Sequence, residues 1–279
     1  MPSSYAGGPH ELGQNLLVDR GVISAIDALI ARTTGPIVEL GPGDGALTLP
    51  LSRLGRNLTV VEVDPKRARR LDRRTPDHVV VHTGDALTYR FPRHPHVIVG
   101  NIPFHLTTRL LRRILAASHW SSATLLVQWE VARRRAGVGG ATLLTASWWP
   151  WYEFTLHQRV PARAFRPVPG VDGGLLTMTR RATPLVADRA PYQRFVKEVF
   201  TGRGRGVQEV LTRTGRFGTA ALRGWLREHR VSPQALPKDL TAHQWASLWH
   251  LASQTAPTPP SPSRSHGSRR SRPTNNRRR

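Results

Sequence analysis

The residues with the most chemistry in this chain sit in Gly100-Asn101-Ile102-Pro103-Phe104. An Asn beside a Pro-constrained turn can aim its amide oxygen and the carbonyl of Ile102 at one point, and Phe104 offers a stacking platform next to them. A planar ring bearing an amine fits such a place. Upstream, Glu39-Leu40-Gly41-Pro42-Gly43-Asp44-Gly45 forms a glycine turn in which Gly41 and Gly43 let a ligand approach the backbone. Its G-x-G-x-G spacing departs from the G-x-G-x-x-G of dinucleotide enzymes, which argues against NAD. Glu62 lies about 20 residues past the glycines, where a carboxylate can take both hydroxyls of a ribose. Asp85, in Gly84-Asp85-Ala86, can accept from an exocyclic adenine amine. One shared nucleoside site accounts for the Gly, Glu and Asp together.

These residues need elements that bring them to one edge. Ile37 to Leu40, Leu58 to Val63, His78 to His82 and His96 to Gly100 are short apolar runs that predict buried strands. Helical patterns separate several of them: Ala46 to Leu54, Pro65 to Arg73 with Pro in the first turn, and Leu106 to Leu115 after the fourth run. Strands alternating with helices imply parallel βαβ units in a doubly wound sheet, whose ligands bind at the carboxyl ends of the strands. The glycine turn, Glu62, Asp85 and Asn101 all fall at such ends. A fifth strand is expected over Ala123 to Gln128, and Tyr152 to Val160 with Gly174 to Thr179 could hairpin onto the sheet edge. After Arg181 the pattern turns helical: Tyr192 to Phe200, Gly206 to Thr212, Ala220 to His229 and Thr241 to Leu251.

Composition narrows the class. The chain has 279 residues, no Cys, and 41 Lys plus Arg against 18 Asp plus Glu, a formal net charge of +23. Without Cys there are no disulfides, thiolate zinc sites or cysteine nucleophiles, and an intracellular, cytoplasmic location is expected. No metal site is expected, and no apolar stretch approaches the roughly 18 residues of a spanning helix. So large a basic excess points to a polyanion, nucleic acid before membrane. Only Lys66, Lys197 and Lys238 are Lys, so Arg carries the field. From Ser253 on, seven Arg, five Pro and no acid predict a disordered basic arm, and the 252 residues before it still hold 34 basic against 18 acidic residues. The expected division is an α/β domain over 1–182, a small helical domain over 183–252 and the tail over 253–279.

In their order along the chain, these motifs resemble the class I, S-adenosylmethionine-dependent rRNA adenine N6-methyltransferases, the group holding the KsgA-type small-subunit dimethyltransferases and the Erm resistance methyltransferases. Gly13-Gln14-Asn15-Leu16-Leu17 looks like the family's first motif, Glu39 to Thr48 like its cofactor loop, and Glu62-Val63-Asp64 and Gly84-Asp85-Ala86 like its ribose and adenine contacts. Asn101 to Phe104 looks like its catalytic tetrad, and Phe165-Arg166-Pro167-Val168-Pro169-x-Val171-Asp172 resembles the later motif supplying a second aromatic wall. The Phe104 form of the tetrad, the Gln128 to Arg134 stretch and the compact helical C-terminus are more similar to Erm than to KsgA.

The resemblance implies a Rossmann-like methyltransferase sheet and an enzyme methylating N6 of an adenosine in the peptidyl-transferase loop of 23S rRNA, which confers macrolide, lincosamide and streptogramin B resistance. It implies catalytic roles for Asn101, Ile102 and Phe104. Cofactor contacts are implied for Asn15, Leu17, Gly41, Gly43, Glu62, Asp85, Ala86 and Asn101, and substrate contacts for Phe104, Phe165, Arg133 and Arg134. Gly137 to Gly140 is expected to form a loop bordering the substrate channel. A monomer with 23S rRNA as its partner and no membrane is expected. The alternatives are a KsgA-like small-subunit enzyme and a noncatalytic RNA-binding protein on the same fold.

Overall fold

The structure is a computed structural model that describes residues 15–255, so Gly13, Gln14 and nearly all of the tail lie outside the described residues. It opens with β1 (Leu16–Leu17) and α1 (Arg20–Ala31), then β2 (Ile37–Leu40), α2 (Thr48–Ser52), β3 (Leu58–Glu62), α3 (Pro65–Asp72), β4 (Val79–Thr83) and β5 (His96–Asn101). There follow α4 (Thr107–Ala116), β6 (Trp120–Gln128), α5 (Trp129–Arg135), α6 (Leu143–Trp148), β7 (Tyr152–Val160), β8 (Phe165–Arg166) and β9 (Gly173–Arg180). The chain then runs through α7 (Arg189–Thr201), α8 (Val207–Arg213), α9 (Thr219–Glu228) and α10 (Ala242–Thr255).

Seven strands form one sheet in the order β4-β3-β2-β5-β6-β9-β7, and β1 and β8 pair apart from it as a small antiparallel ribbon. The strands from β4 to β6 are mutually parallel, while β9 runs antiparallel between β6 and β7. The order reverses between β2 and β5, which is the crevice where doubly wound sheets take ligands. The expected hairpin forms, with β9 against the sheet and β7 outermost.

Local sequence explains the helices that bracket this crevice. Asp19 caps α1 by accepting from the Val22 amide at 3.0 Å, and Asp64 caps α3 just before Pro65 by accepting from Lys66 N at 2.8 Å. Helix α4 buries Leu110, Leu111, Ile114 and Leu115 on one side and leaves Arg109 and Arg112 exposed on the other.

The sheet buries both faces. On one, Ile37, Leu58 and Val60 meet Ile26 and Ile30 of α1, Leu51 of α2 and Leu71 of α3. On the other, Val38, Leu40, Val61 and Ile98 meet α4, and the same apolar cluster continues to Phe195, Leu211, Trp225 and Trp245 in the C-terminal helices. Trp120 stacks on Tyr152 at 4.5 Å between centroids, and the Tyr192 hydroxyl donates to the Ala146 carbonyl at 2.9 Å, joining α7 to α6. No helix among the described residues is long and apolar enough to cross a membrane.

Candidate active site

The glycine turn after β2 is shaped by left-handed backbone: Gly41, Gly43 and Gly45 have φ of +69°, +56° and +86°. A side chain there would be strained. At Gly43 a Cβ would also stand 2.6 Å from Cδ2 of Leu16, so the β1 segment lies directly over the turn. The β1–β8 ribbon, Leu17 opposite Phe165, therefore roofs a pocket. Asn15, Leu16, Leu17 and Val18 line it from above, Glu39 and Gly41 to Asp44 from below, and Asn101 to Phe104 from the side.

Two carboxylates lie buried at neighbouring strand tips. Glu62 accepts from the Gly43 amide through Oε2 at 3.2 Å and from the Asp64 amide through Oε1 at 2.9 Å, so it ties the glycine turn to the start of α3. Burial pushes its carboxyl up, opposed by these two amides and by the Arg67 guanidinium. Each carboxylate oxygen retains a lone pair for a further donor, such as a ribose hydroxyl. Glu39 is also buried, and its Oε2 accepts from the Thr48 hydroxyl at 2.7 Å. Desolvation raises its carboxyl to about 8, against that hydrogen bond and reinforced by Glu62. In the sequence Glu39 is marked only as the first residue of the cofactor loop; its burial and its neighbour Glu62 become visible in the fold.

Asp85 lies one tip further along, exposed, with Oδ1 accepting from Leu87 N at 2.8 Å. The preceding Gly84 donates to the Glu62 carbonyl at 2.8 Å, so Asp85 and Ala86 stand next to the Glu62 tip rather than in the lining around Asn101.

At the β5 tip, Asn101 donates from Nδ2 to the Asn15 carbonyl at 2.7 Å, which leaves Oδ1 as the acceptor. Ile102 is buried and its amide donates to Leu126 O at 2.9 Å, anchoring the turn to β6. Pro103 then leads into a single 3-10 turn, Phe104 to Leu106, and α4. Phe104 remains partly exposed, whereas Phe165 is fully buried and meets it edge-on, centroids 6.1 Å apart at 74°. Phe165 thus backs Phe104 in this arrangement.

Helix α5 starts at the end of β6, three residues past Leu126, the partner of Asn101, and Trp129 N donates to Asp172 O at 2.9 Å. Arg133 pairs with Glu130 at 3.1 Å and Arg134 is exposed, so both stand on a helix rooted at the site's edge. Among the described residues no group of His, Cys, Asp or Glu could hold a metal ion.

The parallel strands of this sheet carry at their successive tips a glycine turn, two buried acids and an amide held beside an aromatic ring, an arrangement of the α/β class suited to a nucleoside. A model of the family described as ribosomal RNA adenine dimethylase matches residues 8–254, and the chain belongs to that family. It is an rRNA adenine methyltransferase. The mycinamicin-resistance protein MyrB of Micromonospora griseorubida is 52% identical over 262 residues, covering 93% of this chain and 84% of that protein. An rRNA adenine N-6-methyltransferase of Corynebacterium diphtheriae is 52% identical over 219 residues, 77% of this chain and 86% of its own length. The crystal structure of the 23S rRNA methyltransferase ErmE superposes with a TM-score of 0.79 at 32% identity, over 86% of this chain and all of that one.

Proposed function

We propose that the chain transfers a methyl group from S-adenosylmethionine to N6 of an adenosine in the peptidyl-transferase loop of 23S rRNA, as a cytoplasmic monomer, and so confers macrolide, lincosamide and streptogramin B resistance. The observation that carries this reading is Asn101, locked by the Asn15 carbonyl in the wall of the glycine-turn pocket with Phe104 beside it. The 23S substrate in the name of ErmE and the resistance in the name of MyrB support the choice of RNA and of outcome.

S-adenosylmethionine supplies a methyl on a positively charged sulfur, already activated for transfer. The residues of the chain therefore need to position more than to deprotonate. Glu62, Asp85 and Ala86 hold the adenosine end, while Asn15, Leu17, Gly41 and Gly43 wall the rest of the pocket. Adenine N6 is a poor nucleophile because its lone pair is delocalised into the ring. Asn101 Oδ1 and the Ile102 carbonyl accept from the amino group and hold its lone pair toward the methyl, and the same oxygen dipoles meet the positive charge that develops on N6. Phe104, backed by Phe165, stacks on the extruded base and offsets the few kcal/mol that flipping costs. Arg133 and Arg134 hold phosphates, which position the RNA without specifying it.

The test is methyl transfer from labelled donor to purified 23S and 16S rRNA. Label confined to 23S rRNA is expected. Label in 16S rRNA alone would make the chain a KsgA-like enzyme, and donor binding with no label in either would make it a noncatalytic RNA-binding protein.

A further inference from the structure

We propose that Glu39 senses the charge of the methyl donor through its own proton: protonated in the empty pocket, it releases that proton when the sulfonium form binds and regains it when the product with neutral sulfur remains. This rests on the reading of the pocket as the S-adenosylmethionine site.

The sheet order places Glu39 for this role. Asp85, Glu62, Glu39 and Asn101 stand near the tips of β4, β3, β2 and β5, four strands adjacent in that order. If Asp85 and Glu62 take the adenine and ribose and Asn101 takes the acceptor amine, the sulfur between ribose and acceptor falls over β2. Glu39 is 1% exposed there and lines the pocket together with Gly41 and Asn101.

The surroundings of Glu39 lack a compensating charge of their own. Helix α2 offers only the Thr48 hydroxyl, at 2.7 Å. Strand β3 faces it with a second acid, Glu62, and the glycine turn brings Asp44 into the same pocket. The charged groups on α3 and before it, Arg67 and Asp64, act on Glu62, which in addition has two backbone amides. Burial accordingly holds the Glu39 carboxyl at about 8, protonated at neutral pH. A cation entering the pocket supplies the missing partner and favours the carboxylate, so a proton leaves to solvent. On transfer the methyl–sulfur bond breaks, sulfur keeps the electron pair, the N6 lone pair forms the new bond, and N6 gives up one proton to solvent, from which Glu39 in turn takes one back. The charge that held Glu39 ionised is then gone, the acid reprotonates, and the site distinguishes spent product from fresh donor.

The experiment is calorimetry of the full chain with S-adenosylmethionine and, separately, S-adenosylhomocysteine, in buffers of different ionisation heat between pH 6 and 7.5. Donor binding should release close to one proton, with Kd rising up to about tenfold for each pH unit lowered, and product binding should release far less. Glu39→Gln should abolish the difference by removing proton release on donor binding. Equal release for donor and product in the wild-type protein would overturn the inference, and that comparison needs no variant. Full release retained in a folded Glu39→Gln protein would also overturn it, assigning the proton elsewhere. If neither compound binds, the pocket assignment itself fails and this inference with it.

Discussion

The Asn101 side chain donates from Nδ2 to the main-chain carbonyl of Asn15 at 2.7 Å, across 86 residues of sequence. The bond decides which end of the amide is which: with nitrogen committed to a carbonyl, Oδ1 is left to accept. Asn101→Asp places an acceptor against that carbonyl and loses the lock. It should lower the single-turnover methyl-transfer rate by about 100-fold or more, the scale of losing one aimed dipole. Donor affinity measured by calorimetry should change far less, because the glycine turn and Glu62 are untouched.

Phe104 supplies the face on which the target base stacks. Phe104→Ala should leave donor binding intact and weaken transfer by roughly 1–3 kcal/mol per stacked base, while Phe104→Tyr should remain active. Single-turnover rates on an rRNA hairpin check both. A Phe104→Ala enzyme at the wild-type rate would move the platform elsewhere, with Phe165 the next residue to test.

Gly100 is required for close approach. A Cβ there would stand 2.6 Å from the Leu40 carbonyl oxygen on the neighbouring strand and 3.0 Å from Ile102 Cδ1. Gly100→Ala must push β5 from β2 at the tip that carries Asn101. A loss of about 1–3 kcal/mol in stability is expected, as for other overpacked sites, together with reduced methyl transfer. Thermal unfolding beside a transfer assay measures both.

Glu39 makes stability depend on pH. Its carboxyl rises from 4.5 to about 8 on folding, so between those values the folded chain binds more protons than the unfolded one. Its contribution is complete below pH 4.5 and is lost as pH rises through 8. Glu39→Gln keeps an acceptor for the Thr48 hydroxyl and removes the titration. The variant should gain stability over wild type as pH rises from 6 to 9, with the difference vanishing near pH 4.5 in denaturant titrations.

Much of this site is legible in the sequence because strand tips are marked by residues that interrupt apolar runs. Glu39 to Gly45, Glu62 and Asn101 all fall at such interruptions, and the runs over Ile37 to Leu40 and Tyr152 to Val160 coincide with β2 and β7. What the sequence hides is long-range or short. The β1–β8 ribbon is two residues on each side, too brief for any period, yet it roofs the pocket. Helix α1 buries Val22, Ile26 and Ile30 four apart but follows no flanking strand run that would mark it as part of a βαβ unit. Glu39 and Glu62 acquire their shared burial only when β2 and β3 pair, and the Asn15 carbonyl reaches Asn101 only through the folded chain.

Primer extension on 23S rRNA from cells expressing this chain, beside cells expressing the Asn101→Asp variant, reads the methylated base itself. A stop at a single adenosine of the peptidyl-transferase loop is expected with the wild-type chain and none with the variant. No stop in 23S rRNA, with dimethyladenosine appearing in the small-subunit rRNA of the same cells, would contradict it.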